Sequence, residues 1–148
     1  TTLFRSNLNI GLLPVIMFIV AGIMAFATGT SWGSFGILLP IAGEIAAATD
    51  VSILLPAMAA VLAGSVFGDH CSPISDTSIL SSTGAGSNHI DHVITQIPYA
   101  ITGAVIAAVG FLALGLTGST LIGLSATIIL LVVFAVFGKR TVRSAAGN

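Results

Sequence analysis

Charge is scarce in this chain. Among 148 residues there are 4 Lys and Arg and 5 Asp and Glu, so charged residues make up 6% of the sequence. A soluble domain carries roughly 25%, so this low charge, with 55% hydrophobic residues and a mean hydropathy of +1.12, argues against one. The formal net charge of −1 says little about partners, and nucleic acid is not expected. Cys71 is the only cysteine, which excludes an intrachain disulfide and any secreted-type framework. No secretory signal pattern, low-complexity tract or soluble-domain linker is visible. What is present in quantity is apolar sequence, and it reads as an all-α integral membrane protein.

The basic residues are confined to Arg5 and to the cluster Lys139, Arg140 and Arg143. The opening TTLFRS lacks an initiator Met and reads as the translated end of a sequencing-library adapter, so residues 1–6 are set aside as a scar. Residues 7–138 then form a membrane domain and 139–148 a basic tail. Loops rich in Lys and Arg stay on the cytoplasmic side, which places the C-terminus inside.

A spanning helix needs about 20 apolar residues. Residues 10–27 nearly qualify, with Pro14 early and Gly22 within. The glycines and hydroxyls of residues 28–36 predict unwound backbone, and 37–48, with Pro40 and Glu44, resumes as a run too short to span. Residues 51–67 are apolar, with Pro56 and the small residues Ala57, Ala59, Ala60, Ala63 and Gly64 that favour close helix packing. A second glycine and hydroxyl patch at 81–88 leads to a span at 97–116, a tight turn at 117–119 and a last span at 120–138. The twelve Leu, Ile, Val and Phe of that last run give about −4 to −7 kcal/mol of insertion free energy. The two final spans are expected to form an antiparallel hairpin.

The segment GDHCSPISDTS, Gly68 to Ser78, carries the most chemistry. Its two Asp cost roughly 5–7 kcal/mol in hydrocarbon, and the apolar residues around them return only about 2–4. The segment must be buried in protein, line a watery cavity or lie outside the bilayer. Pro73 makes an unbroken helix implausible, and a bend brings Asp69 and Asp76 to one cavity. The competing reading is a wet loop at the membrane surface. Interrupted helices of this kind hold ions and substrates in secondary transporters, so 28–36 and 68–78 are both expected to be discontinuous.

Ser72, Ser75, Thr77 and Ser78 offer neutral oxygens that suit hard cations, or equally cap helix ends. Thr28, Thr30 and Ser31 carry the same ambiguity. His89 and His92, with Asp91 between them, can relay protons or sense pH, or simply end the loop before 97. Glu44 is either a coupling acid or the wet end of a half-helix. Trp32 suits a packing or interface anchor, and Asp50 a helix cap. One Cys and scattered His give no transition-metal set, so no such metal and no cofactor is expected.

The stretches TGTSWGSFGILLP from Thr28 to Pro40 and GDHCSPISDTSILSSTG from Gly68 to Gly84 resemble the signature segments of the NhaC-type Na+/H+ antiporters. NHIDHV from Asn88 and QIPY from Gln96 fit the same pattern, and the resemblance covers residues 10–138. Ser78 and Ser87 stand where such proteins often carry Thr and Cys. The resemblance implies a polytopic helical bundle with broken or re-entrant helices, of which this chain is the C-terminal part. It implies exchange of Na+ for H+ through Asp69 and Asp76, with Asn at either position abolishing or severely reducing transport. Coupled exchange of a small organic acid such as malate or lactate, or of an amino acid, is the alternative. The expected partners are Na+, H+, the bilayer, the N-terminal half of the same transporter and, in an assembled state, a second copy. The expected location is a bacterial or archaeal cell membrane. An intramembrane aspartyl protease is disfavoured, because Val66 stands where its Gly-x-Gly-Asp motif needs the first glycine. A channel or non-catalytic subunit is the third class.

Overall fold

A computed structural model describes the backbone of residues 10–145 and the side chains of 10–136. The scar assigned to residues 1–6 and the side chains of the basic tail lie outside the described residues. Among the described residues every regular element is helical.

Helix α1 (Leu13–Thr28) follows a 3-10 turn, with Pro14 in the first turn, where its missing N–H costs no bond. It stops at Gly29, whose φ of 69° is left-handed and whose N–H caps Ala25. Helix α2 (Ser31–Thr49) starts at once. The unwound stretch expected over 28–36 is therefore confined to Gly29 and Thr30. Glycine costs a helix about 1 kcal/mol per residue, whereas each backbone group left unpaired in an apolar setting costs several. Gly33 and Gly36 accordingly stay helical. With these residues included, α2 is 19 residues long and reaches spanning length, correcting the short run expected at 37–48.

Asp50 ends α2 and caps the 3-10 turn Val51–Ile53, its carboxylate accepting the Ser52 N–H at 2.8 Å. Helix α3 (Leu54–Cys71) runs into the stretch expected to be discontinuous at 68–78, and the interruption is confined to Ser72 to Ser75, since residues 68–71 stay in α3 and 76–78 already belong to α4. Beyond it α4 (Asp76–Gly84) is short. Helix α5 (His89–Thr117) begins eight residues before the expected start at 97, because the Asn88 side chain accepts the N–H groups of Ile90 and Asp91 and caps it there. Helix α6 (Thr120–Ala145) folds back through Gly118 and Ser119. Gly110 meets Thr127 and Gly123 meets Leu114, so α5 and α6 form the expected antiparallel hairpin.

Among the described residues, four helical stretches are long and apolar enough to cross a membrane: Ile10–Thr28, Ser31–Thr49, Val51–Cys71 and His89–Thr117. The chain is a polytopic, all-α membrane protein.

Helices α1 and α3 run parallel and very close. Gly64 lies on the Phe18 carbonyl and Gly68 on the Gly22 carbonyl, the same offset one turn apart, and a Cβ on either glycine would collide with backbone. Around this contact Phe18 stacks on Phe67 at 6.1 Å and meets Phe111 at 5.6 Å. Met17, Ala21, Leu38, Ala42, Ala57, Ala60 and Val61 complete the core.

Candidate functional site

The two interruptions meet. A Cβ on Gly29, between α1 and α2, would lie 2.8 Å from the Ile74 carbonyl oxygen, between α3 and α4. Glycine is therefore demanded there by φ and by space together. The contact brings the start of α2 against the end of α3, and Asp69 lies between them.

Asp69 is in the last turn of α3 and is 5% exposed. Its carboxylate accepts the Ser31 hydroxyl from α2 at 3.2 Å and the Ser75 hydroxyl from the break at 2.6 Å. Ser75 is fully buried and is the hub of the break. Its own O–H is committed to Asp69, so the Thr77 hydroxyl donates to it, at 2.7 Å. Ser75 also caps α4 by accepting the Ser78 N–H at 3.4 Å. Buried Ser72 accepts the Ile74 N–H at 3.4 Å and closes the turn. Burying a carboxylate is costly unless it is paired or hydrogen-bonded, and two hydroxyls answer only part of that demand.

No lysine or arginine occurs between residues 6 and 138 of this chain. Asp69 thus has no resident basic partner in the described bundle. The countercharge available to it is a mobile one, or comes from outside this stretch.

The remaining candidates separate. Asp76 opens α4, where its charge suits the helix dipole, but it is exposed and does not share the buried pocket of Asp69. The described residues do not bring the two carboxylates together: Asp76 makes none of the hydrogen bonds that hold Asp69. Ser75 in the break bonds to Asp69, and the next residue, Asp76, is exposed at the start of α4. The Thr28 hydroxyl turns back onto the Met24 carbonyl at 2.9 Å, and Thr30 offers its carbonyl to Ser34 at 3.1 Å. Of the hydroxyls at 28–31, Ser31 reaches the carboxylate. Glu44 is exposed and lies thirteen residues along α2 from Ser31, about 20 Å by helical rise. Asp91 is exposed in the first turn of α5 and His92 is half-buried beside it.

His89 does more than end a loop. Its Nε2–H donates to the Pro73 carbonyl at 2.6 Å and its Nδ1 lies 3.1 Å from the Ser82 hydroxyl. One ring thus ties the start of α5 to both the break and α4. Sequence reasoning missed two further buried residues, Ser34 and Ser65, both 0% exposed. Their signal was spacing: Ser34 is one turn from Ser31 and Ser65 one turn from Asp69.

On the opposite side of α3, a cavity of about 370 Å3 opens between α1, α3 and α5. Phe18, Phe67 and Ala104 form its apolar wall, and His70, Gln96 and Tyr99 border it. His70 Nδ1–H donates to the Val66 carbonyl at 2.9 Å. Among the described residues no group of three His, Cys, Asp or Glu side chains is arranged to hold a metal.

The sequence profile of the Na+/H+ antiporter family matches residues 1–116. The chain is 54% identical over 133 residues to an uncharacterised protein of Haemophilus influenzae, covering 90% of this chain and 26% of that one. It is 39% identical over 100 residues to the malate-2H(+)/Na(+)-lactate antiporter of Bacillus subtilis, covering 66% and 20%. It is 37% identical over 101 residues to an uncharacterised Na(+)/H(+) antiporter of Haemophilus influenzae, covering 66% and 21%. The chain therefore spans about a quarter of the length of these curated relatives or less. No solved structure matches it.

Proposed function

The chain belongs to the Na+/H+ antiporter family, and from that premise we propose that the whole transporter exchanges Na+ for H+ through the carboxylate of Asp69. That it is part of a secondary antiporter, and not of an enzyme, follows from the family. The exchanged species and the ligand set are the proposal.

One observation carries it. Asp69 is buried, is held by one hydroxyl from the start of α2 and one from the break after α3, and has no lysine or arginine in residues 6–138 to neutralise it. A buried carboxylate without a fixed partner is neutralised by a proton or by a bound cation. Both use the same oxygens, so they compete. Ser31 and Ser75 orient the carboxylate and offer neutral oxygen to a hard cation. The neutrality of both loaded forms lowers the cost of crossing apolar surroundings.

A cell-membrane location with the C-terminus in the cytoplasm fits the cluster Lys139, Arg140 and Arg143. Coupled exchange of a small organic acid is the second reading. It is favoured by the cavity bordered by His70, Gln96 and Tyr99, and by the likeness to the malate-2H(+)/Na(+)-lactate antiporter of Bacillus subtilis.

The test is cation-driven proton movement by the full-length transporter in sealed vesicles. Asp69→Asn keeps the hydrogen-bonding size of the side chain and removes its exchangeable charge. Loss of Na+-driven proton movement is the expected result. Wild-type exchange by Asp69→Asn overturns the assignment, and exchange that requires an added organic acid favours the second reading.

A further inference from the structure

We infer that Ser65 is a further ligand of the transported cation, one helical turn beneath Asp69, on the reading that Asp69 is the exchange carboxylate. Three observations converge on it.

The first is its isolation. Ser65 is fully buried, and its Oγ is the one buried side-chain polar atom among the described residues without a hydrogen-bond partner. A serine inside a helix ordinarily returns its proton to the carbonyl one turn back. Ser34, Thr49 and Thr127 all do so in this molecule. Ser65 does not use the Val61 carbonyl in this way, so its hydroxyl is free to serve something else.

The second is its position. Residues four apart in a helix share a face, and a turn rises about 5.4 Å, so Ser65 lies on the Asp69 face of α3. The Ser31–Asp69 bond fixes α2 against α3, and the two helices run antiparallel through the turn at Asp50. One turn along, this register sets Ser34 opposite Ser65. The next rung is Leu38 with Val61, both buried in the apolar core. The polar seam is therefore two rungs deep and closed at its base.

The third is its chemistry. Asp69 alone in this seam carries charge. A dehydrated monovalent cation drawn to it needs neutral oxygens in place of its water. Ser31 and Ser75 supply oxygen beside the carboxylate, while their protons are committed to it. Ser65 supplies an oxygen with both lone pairs unengaged, from below.

The experiment uses the full-length transporter, reconstituted in vesicles for kinetics and in detergent for thermal unfolding. Ser65→Ala removes the oxygen. Ser65→Cys keeps the volume and replaces a hard oxygen with a soft sulfur. The expected result is an apparent Na+ KM raised by about tenfold or more in both variants, with a diminished Na+-dependent rise of the melting midpoint. Without Na+, Ser65→Ala should melt at or above the wild-type temperature, because it deletes an unpartnered buried hydroxyl. Wild-type Na+ KM and an unchanged Na+-dependent melting shift in both variants overturn the inference, and leave Ser65 a purely structural residue. That outcome stands apart from failure of the parent reading, which appears as retained exchange in Asp69→Asn.

Discussion

Substituting Gly68 by alanine tests the geometry that holds the site. Gly68 sits on the Gly22 carbonyl, and its new Cβ would collide with that oxygen and lie 2.8 Å from the Phe26 nitrogen. Both neighbours are backbone, so no side chain can swing aside. Restoring an ordinary contact of about 3.5 Å or more requires α1 and α3 to separate by roughly an ångström or more. Overpacking of this kind costs about 1–3 kcal/mol. Loosening the Phe18–Phe67 stack adds about 0.5–1.5 kcal/mol. Against this, alanine returns about 1 kcal/mol of helix propensity. The balance is a loss of about 0.5–3.5 kcal/mol. Thermal unfolding of the full-length protein in detergent measures it, with Gly36→Ala as comparison, since a Cβ there meets nothing within 4 Å. Gly68→Ala should melt lower and Gly36→Ala at or above wild type. Because Asp69 is the next residue, and its bond to Ser31 is already 3.2 Å long, Gly68→Ala should also raise the Na+ KM. A variant as stable as wild type, with unchanged KM, refutes the close approach of α1 and α3.

Ser75→Ala removes the cap of α4 and a donor to Asp69. The cap alone is worth about 0.5–2 kcal/mol, so both stability and Na+ affinity should fall, and Ser75→Thr should restore part of each. Asp76→Asn should leave measurable exchange where Asp69→Asn leaves none, because Asp76 is exposed and outside the Asp69 pocket; equal loss in vesicle assays would contradict that ranking. On the proposed reading proton and cation compete for the Asp69 carboxylate, so the apparent Na+ KM in vesicles should rise with proton concentration, and a KM indifferent to it would refute competition. The Ser52 N–H holds Asp50 below the usual carboxylate range. Its contribution to the α2–α3 turn is therefore present above the unfolded value and lost as pH falls through the depressed one. Asp50→Ala should remove that acid sensitivity in hydrogen exchange at the turn.

Much of this arrangement was written in local sequence. Pro73 between hydroxyls marked the break after α3, and Thr117 to Ser119 marked the final hairpin. Reading glycine as a breaker failed at Gly33 and Gly36, because backbone satisfaction in an apolar setting outweighs glycine's intrinsic cost. The early start of α5 was hidden by the polar run at 88–92, where Asn88 is a cap and not loop filler. Of the site, Asp69, Ser31 and Ser75 were visible as members of polar clusters, although their separation from Asp76, Thr28 and Glu44 was not. Ser65 stood alone in a run of small residues, and only the fold shows that its hydroxyl is unmatched. His89 looked like an interface residue because its partners, Pro73 and Ser82, are set by tertiary contact.

The confinement of every lysine and arginine to the two ends of the chain bears on what keeps exchange tight. A carrier with a built-in positive partner for its acid could change sides empty, as a neutral ion pair, and would leak. On the proposed exchange through Asp69, and where the rest of the transporter likewise brings no basic group to it, moving the vacated carboxylate through an apolar barrier exposes a bare negative charge to low dielectric. The penalty for such a passage is several kcal/mol, which at about 1.4 kcal/mol per decade slows the empty return by orders of magnitude. Only a carrier that has picked up a new passenger turns over readily. Obligatory one-for-one traffic would then arise from an omission of charge, with no dedicated latch required.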